Sequence, residues 1–106
     1  MNRIGGDGLY VFDEPEAALS PARQLAFLSR LHELVQAGSQ FLIATHSPIL
    51  MAYPRAAIYL LGDGAPSLIA YRDTEHYRVT RQFLTRTGQM LDILLNETGE
   101  AGRDED

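Results

Sequence analysis

The apolar residues near the start of the chain form two continuous runs. The first run is "LYVF", residues 9–12, and the second is "FLIA", residues 41–44. Unbroken apolar runs of this length are typical of strands that are buried on both faces of a sheet. We therefore expect two buried strands, separated by a segment that is long enough for one helix.

Leucines recur at helical spacing between the two runs, with charged residues at intervening positions. This spacing predicts an amphipathic helix over residues 21–37. Ser20 is a favourable N-cap and Pro21 a favourable first helical residue, while Gly38 supplies the stop. Strand, helix and strand in this order predict a βαβ unit with parallel strands and a right-handed crossover.

The second half of the chain has weaker patterns. Two apolar segments, residues 56–61 and 67–72, flank "GDGAP" and predict a hairpin or another tight strand connection. Spaced leucines predict one or two closing helices between about residues 76 and 96, interrupted near Gly88. Residues 97–106 are acidic and nearly free of apolar side chains, which predicts a disordered tail behind an α/β domain.

Composition narrows the class of protein. The chain has 106 residues, enough for one small domain, and no apolar run approaches the roughly 18 residues of a membrane span. The start of the chain lacks the features of a signal peptide, and the absence of cysteine suits a cytoplasmic protein. A net charge of −5 argues against a chain that is a nucleic-acid-binding surface as a whole. A nucleic-acid partner is compatible with the sequence but has no support in it.

Polar side chains follow both predicted strands. Asp13 and Glu14 end the first strand, and Thr45 and His46 end the second. Parallel strands bring these residues to one edge of the sheet, where ligands bind, either as neighbours or with another strand between them. A strand-end carboxylate beside a phosphate site commonly helps to hold magnesium, and a second carboxylate can orient or deprotonate water. The pattern therefore indicates phosphoryl transfer.

Two motifs carry a family resemblance. The sequence "LYVFDEPEAALSP", residues 9–21, resembles the Walker B motif and D-loop of ABC-type ATPases, and "FLIATHSP", residues 41–48, is similar to their switch strand with its histidine. The order and spacing of the motifs also match. The Asp-Glu-Pro-Glu variant together with "ATHSPIL" looks most like the SMC-like, stand-alone predicted ATPases of this group. The resemblance covers about residues 8–62 and implies a partial parallel sheet of the P-loop NTPase type, with a C-terminal strand pair and helices.

The resemblance also implies a role for each matching residue. Asp13 would hold Mg²⁺, usually through water, and Glu14 would polarise the water that attacks ATP. Residues 18–20 would form the D-loop, with Ser20 at the nucleotide and the loop against a partner subunit. His46 would contact the γ-phosphate. The family implies a homodimer that encloses ATP and Mg²⁺ between its subunits.

Other motifs of that family are missing from these 106 residues. All nine basic residues are arginine, so the lysine of a Gly-x-x-x-x-Gly-Lys-Ser/Thr phosphate loop is absent. The "GGDG" stretch, residues 5–8, precedes a strand instead of following one, and the glutamine loop and signature motif are not found. We therefore expect residues 1–96 to be the C-terminal part of an ATPase domain, inactive alone and associating with the missing N-terminal half or with a second copy.

Two other functions stay open from the sequence. The chain could be a non-enzymatic module that docks on a full-length ATPase. It could also be a metal-dependent phosphohydrolase that uses Asp13, Glu14 and His46 directly, which requires further carboxylate or histidine ligands nearby. Glu16 is the nearest extra carboxylate, and the sequence leaves it as either an assistant at the site or a solvated loop residue.

Overall fold

The structure is a computed structural model that describes residues 8–96. The chain divides into two compact units, the first ending at Leu68 and the second beginning at Ile69. The predicted tail and most of the "GGDG" stretch lie outside the described residues. The strands are β1 Leu9–Asp13, β2 Gln40–Ala44, β3 Ile58–Leu60 and β4 Ser67–Ile69, the helices are α1 Pro21–Gln36, α2 Glu75–Thr85 and α3 Thr87–Leu95, and 3₁₀ turns cover Pro15–Ala18, Leu50–Ala52 and Tyr71–Asp73.

The first unit contains the predicted βαβ arrangement. Strands β1 and β2 are adjacent and parallel, with Leu9 opposite Gln40 at one end and Asp13 opposite Ala44 at the other. No strand therefore lies between the two, which settles the alternative that the sequence left open. This small parallel sheet is compatible with a P-loop NTPase.

Helix α1 begins where its capping residues predict. The Ser20 hydroxyl accepts a hydrogen bond from the Arg23 N–H at 3.2 Å, so it satisfies one of the donors that the first helical turn leaves unpaired. Pro21 occupies the first helical position. The helix ends at Gln36, and Gly38 then takes a positive φ of 102°, a conformation that glycine adopts without steric cost.

Aromatic side chains form the core between the sheet and α1. Tyr10 stacks on Phe41 at a ring-centroid distance of 4.9 Å, and Phe12 lies 6.2 Å from the same ring. Phe12 also meets Phe27 of α1 edge to face at 5.5 Å, and Leu31 of the helix is buried. Alternate residues of the two strands thus point towards the helix and bury large apolar area on this side.

The opposite side of the sheet is open. Leu9 and Val11 of β1 are each 60% exposed, and Leu42 of β2 is 66% exposed. The prediction that both faces of these strands are buried is therefore wrong for the described residues. Helix α1 covers one side, and the apolar side chains that point the other way reach solvent.

The second half of the described chain agrees with its weaker predictions. Strands β3 and β4 pair with each other on either side of the "GDGAP" connection. The two closing helices are separated at Arg86, two residues before the predicted break, and Gly88 is instead buried inside α3. Thr74 caps α2 by accepting a hydrogen bond from the Tyr77 N–H at 3.1 Å. Within residues 8–96, no helix is long and apolar enough to cross a membrane.

Candidate functional site

The chain turns sharply at the end of β1. The Glu14 N–H donates to the Ala44 carbonyl at 2.6 Å, so the parallel pairing continues one residue past the strand. Glu14 then takes a left-handed conformation, φ 50° and ψ 55°, and leads into the 3₁₀ turn Pro15–Ala18. This conformation is uncommon for a residue with a side chain and costs on the order of 1 kcal/mol. The strained residue is the one to which the family resemblance assigns water activation.

The predicted site residues lie together at this edge of the sheet. The Nε2 atom of His46 is 3.8 Å from Oε2 of Glu14, and the two side chains are 72% and 55% exposed. Asp13, at the end of β1, is also exposed. The structure therefore brings an imidazole and two carboxylates to one accessible edge, as the parallel strands predict.

Glu16 is held by the loop that follows β2. Its Oε1 accepts a hydrogen bond from the Thr45 hydroxyl at 2.6 Å, and its Oε2 accepts one from the His46 N–H at 2.9 Å. Burial acts to raise the pKa of Glu16, but these hydrogen bonds and the nearby His46 outweigh burial, so the pKa is lowered from its ordinary value. Glu16 is thus an ionised, hydrogen-bonded carboxylate and not a solvated loop residue.

A second set of polar contacts involves buried residues of α1 and of the loop after β2. The Ser47 hydroxyl donates to Oε1 of the buried Gln24 at 2.5 Å, and the Gln24 Nε2 donates to the Leu19 carbonyl at 3.2 Å. Ser47 Oγ also accepts from the N–H groups of Ile49 and Leu50, both at 3.1 Å. Gln24 therefore connects the turn before α1 to the loop after β2.

The sequence patterns did not single out Gln24 and Ser47. A usable signal was present, because position 24 lies one helical turn before Leu28 and two turns before the buried Leu31, on the side of α1 that faces the sheet. A polar residue on such a face must find a hydrogen-bond partner, since burying an unpaired amide is costly. The partner itself could not be read from this pattern.

The structure also bears on the predicted role of Ser20 and on the ligands of a possible metal site. Ser20, assigned to nucleotide contact by the resemblance, caps α1 through its hydroxyl, and its contact with nucleotide stays a prediction. Among residues 8–96 there is no group of three or more histidine, aspartate or glutamate side chains arranged to hold a metal ion. The additional ligands that a metal-dependent phosphohydrolase requires are therefore not found in that part of the chain.

The chain is similar to one protein family within the first unit and to two proteins over a longer stretch. Residues 3–52 match the family described as "AAA domain, putative AbiEii toxin, Type IV TA system". Protein ea59 of Escherichia phage lambda is 31% identical over 96 residues, which are 89% of this chain and 17% of that protein. A "Putative ABC transporter ATP-binding protein" of Methanothermobacter thermautotrophicus is 30% identical over 95 residues, 84% of this chain and 34% of that protein. No solved structure matches significantly.

The matched relatives are much longer than this chain, which spans about a sixth of one and a third of the other. Their similarity covers most of the chain, and the family match covers β1, α1, β2 and the site residues at the ends of the two strands. By these matches the first unit is similar to P-loop ATPase domains, and its small parallel sheet is compatible with that fold.

Proposed function

We propose that this chain supplies the Walker B, D-loop and switch-histidine part of an ABC-type ATPase that hydrolyses ATP. The observation that carries the proposal is the distance of 3.8 Å between Glu14 and His46 at the carboxyl ends of two adjacent parallel strands. Asp13 stands beside them at the end of β1. Ligands of open parallel sheets bind at this edge, which supports a role for these three residues at a nucleotide phosphate.

The chemistry of the donors fits magnesium and a phosphate. Magnesium prefers carboxylate and phosphate oxygens and keeps several waters, and the exposed Asp13 offers such an oxygen. When bound, the ion would neutralise charge on the phosphates. Glu14 would orient the attacking water and take its proton, and His46 would donate a hydrogen bond to the γ-phosphate. The exposure of both side chains leaves their polar atoms accessible to these ligands.

The phosphate-binding loop has to come from sequence outside these 106 residues, because the chain contains no lysine. A separate segment that carries the loop would complete the phosphate site, and a second subunit would meet this chain at residues 18–20. The open side of the β1–β2 sheet, with Leu9, Val11 and Leu42, offers apolar area for such an association. The chain alone is expected to bind ATP weakly and to hydrolyse it very slowly.

A chimera provides the test. This chain replaces the matched segment of the Methanothermobacter protein, which is named for ATP binding, and phosphate release is measured with Mg-ATP. The chimera is expected to hydrolyse ATP, and Glu14→Gln is expected to lower kcat about 10²- to 10³-fold with KM largely unchanged. Glu33→Gln is the matched control, since Glu33 is exposed on α1 and pairs with Arg30 at 2.8 Å.

The result that contradicts the proposal is equally definite. If the chimera hydrolyses ATP and Glu14→Gln has no more effect than Glu33→Gln, the water-activating residue lies elsewhere. Calorimetric titration of the unfused chain with Mg-ATP adds a second check. Tight, saturable binding in the micromolar range would mean that the chain has a phosphate site of its own.

A non-enzymatic docking module is the second candidate function, and the open apolar side of the sheet favours it. Leu42 is 66% exposed, although it belongs to the apolar run of β2. A module of this kind would associate with a P-loop-bearing ATPase in the absence of nucleotide. Association that is lost in Leu42→Lys and unchanged in Glu14→Gln, with no hydrolysis by the complex that depends on Glu14, would favour this function.

A further inference from the structure

The Glu16 carboxylate joins two loops of the site. Glu16 belongs to the 3₁₀ turn that follows Glu14, and its two oxygens bind the Thr45 hydroxyl at 2.6 Å and the His46 N–H at 2.9 Å. We propose that Glu16 is a positioning residue that fixes the backbone of His46 relative to Glu14. The catalytic consequence rests on the proposed function, whereas the positioning itself does not.

Both oxygens of Glu16 are used, and they bind consecutive residues. One contact is to a side chain and the other to the main chain, so the carboxylate constrains the position and the orientation of the Thr45–His46 peptide. The Thr45 Oγ1 atom in turn accepts a hydrogen bond from the Ser47 N–H at 3.0 Å. The hydrogen bonds therefore continue from Glu16 through Thr45 into the loop on the far side of His46.

The same turn also holds Glu14. The Ala17 N–H donates to the Glu14 carbonyl at 3.1 Å, and the Glu14 N–H donates to the Ala44 carbonyl at 2.6 Å. Glu14 and Glu16 are thus two residues apart on one short turn. Glu14 is bonded to the end of β2, and Glu16 is bonded to the loop that follows β2. A change at Glu16 alters the distance between this turn and the point where the His46 side chain leaves the backbone.

Hydrogen bonds to an ionised carboxylate are stronger than neutral ones, and this makes the contact specific. Glutamine at position 16 has nearly the same shape and can still accept from the His46 N–H, while its amide can donate to Thr45. Alanine removes both contacts. The comparison of the two variants therefore separates the loss of charge from the loss of positioning.

Amide hydrogen exchange on the ¹⁵N-labelled full chain tests the positioning. Exchange at His46 is compared with exchange at Glu14, whose N–H is bonded to Ala44 and serves as an internal reference in every variant. Glu16→Ala is expected to raise the ratio of the His46 to the Glu14 exchange rate about ten- to a hundredfold. Glu16→Gln should raise it less, and Glu33→Gln should leave it unchanged.

General unfolding and loss of the local contact give different results. If Glu16→Ala only destabilises the unit, both amides accelerate together and their ratio stays constant, which overturns the proposal. Thr45→Ser keeps the hydroxyl and is expected to retain the ratio of the His46 to the Glu14 exchange rate of the parent chain. Thr45→Val removes the hydroxyl and is expected to raise that ratio, as Glu16→Ala does.

The chimera described above tests the catalytic consequence. Glu16→Ala is expected to lower kcat about tenfold or more with KM changed less, because small displacements of a positioned group are costly in the chemical step. Partial rescue by Glu16→Gln supports positioning. If His46→Ala lowers kcat and Glu16→Ala does not, the catalytic consequence of the positioning is wrong. If neither variant lowers kcat while the exchange ratio rises, the contact is real and the function proposed for His46 is wrong.

Discussion

Two layers of polar residues at the same sheet edge differ in exposure and in the distances between their atoms. In the outer layer Glu14 and His46 are mostly exposed, and Oε2 of Glu14 is 3.8 Å from Nε2 of His46, beyond hydrogen-bond range. In the inner layer Gln24 and Ser47 are buried, and Ser47 donates to Gln24 at 2.5 Å. Glu16 lies between the two, half-buried and bonded to the loop that carries His46.

The difference in exposure and hydrogen bonding indicates that the two layers have different roles. Groups that act on a phosphate need accessible polar atoms, so strong bonds within the protein would compete with the ligand. Groups that hold those side chains in place need partners of their own, because buried polar atoms are costly when unpaired. Substitutions in the inner layer should therefore affect the free energy of unfolding, and substitutions in the outer layer should affect activity.

The largest effect on stability is expected for Gln24→Ala. This change leaves the Leu19 carbonyl and the Ser47 hydroxyl without the Gln24 amide, and it removes buried side-chain volume. We expect the free energy of unfolding to fall by about 2 kcal/mol, measured by urea denaturation. Gln36→Ala on the same helix is the control, because Gln36 is exposed and bonds only to His32 among the contacts described. Equal losses in the two variants would remove the distinction between the layers.

Loss of the α1 cap should have an intermediate effect. Ser20→Ala removes the hydroxyl that accepts from the Arg23 N–H, and such caps are worth about 1 kcal/mol. Urea denaturation checks this value, and Ser20→Asp should restore most of the loss, since aspartate is an equally good cap. A cost in kcat without any cost in stability would instead favour the nucleotide contact that the sequence resemblance implies.

A smaller, pH-dependent effect is expected at Glu16. Its pKa is lowered in the folded chain from an ordinary value of 4.5, so the unfolded chain binds a proton first as the pH falls. The stability that Glu16 contributes is fully present above its unfolded pKa and is lost as the pH falls through its folded pKa. The stability difference between the parent chain and Glu16→Gln should therefore shrink as the pH falls through and below the ordinary pKa of 4.5. A difference that stays constant as the pH is lowered would contradict the lowered pKa.

The smallest effect on stability is expected in the outer layer. Glu14→Gln and His46→Ala change exposed side chains and should alter the free energy of unfolding by no more than about 0.5 kcal/mol. The same changes should abolish most of the hydrolysis by the chimera. A loss of stability as large as that of Gln24→Ala would mean that these side chains mainly support the fold.

Local signals predicted most of the first unit. Ser20, Pro21 and Gly38 marked the ends of α1, and the two apolar runs marked β1 and β2. Capping and periodicity depend on residues within a few positions of each other, so a sequence displays them directly. The break between α2 and α3 lies at Arg86, two residues before the position near Gly88 that the sequence predicts, and Gly88 is buried in the first turn of α3.

The strand ends show where sequence prediction stops. Parallel strands joined by one helix bring Asp13, Glu14 and His46 to one edge, and this could be inferred from the order of the elements alone. The partners of Glu16 could not, because Thr45 and His46 are 29 and 30 residues away in sequence. Only the register that pairs Asp13 with Ala44 brings these atoms within hydrogen-bond distance.

The βαβ order, the limits of α1 and the residues available for chemistry at the strand ends follow from local sequence. Packing of distant segments makes β1 and β2 neighbours, covers one side of their sheet while Leu9, Val11 and Leu42 stay exposed, and bonds Glu16 to the His46 loop. The physical reason is the sequence separation over which each kind of interaction acts. Helix caps and apolar periodicity act within a few residues, whereas strand register, burial and long-range hydrogen bonds exist only after distant segments have packed together.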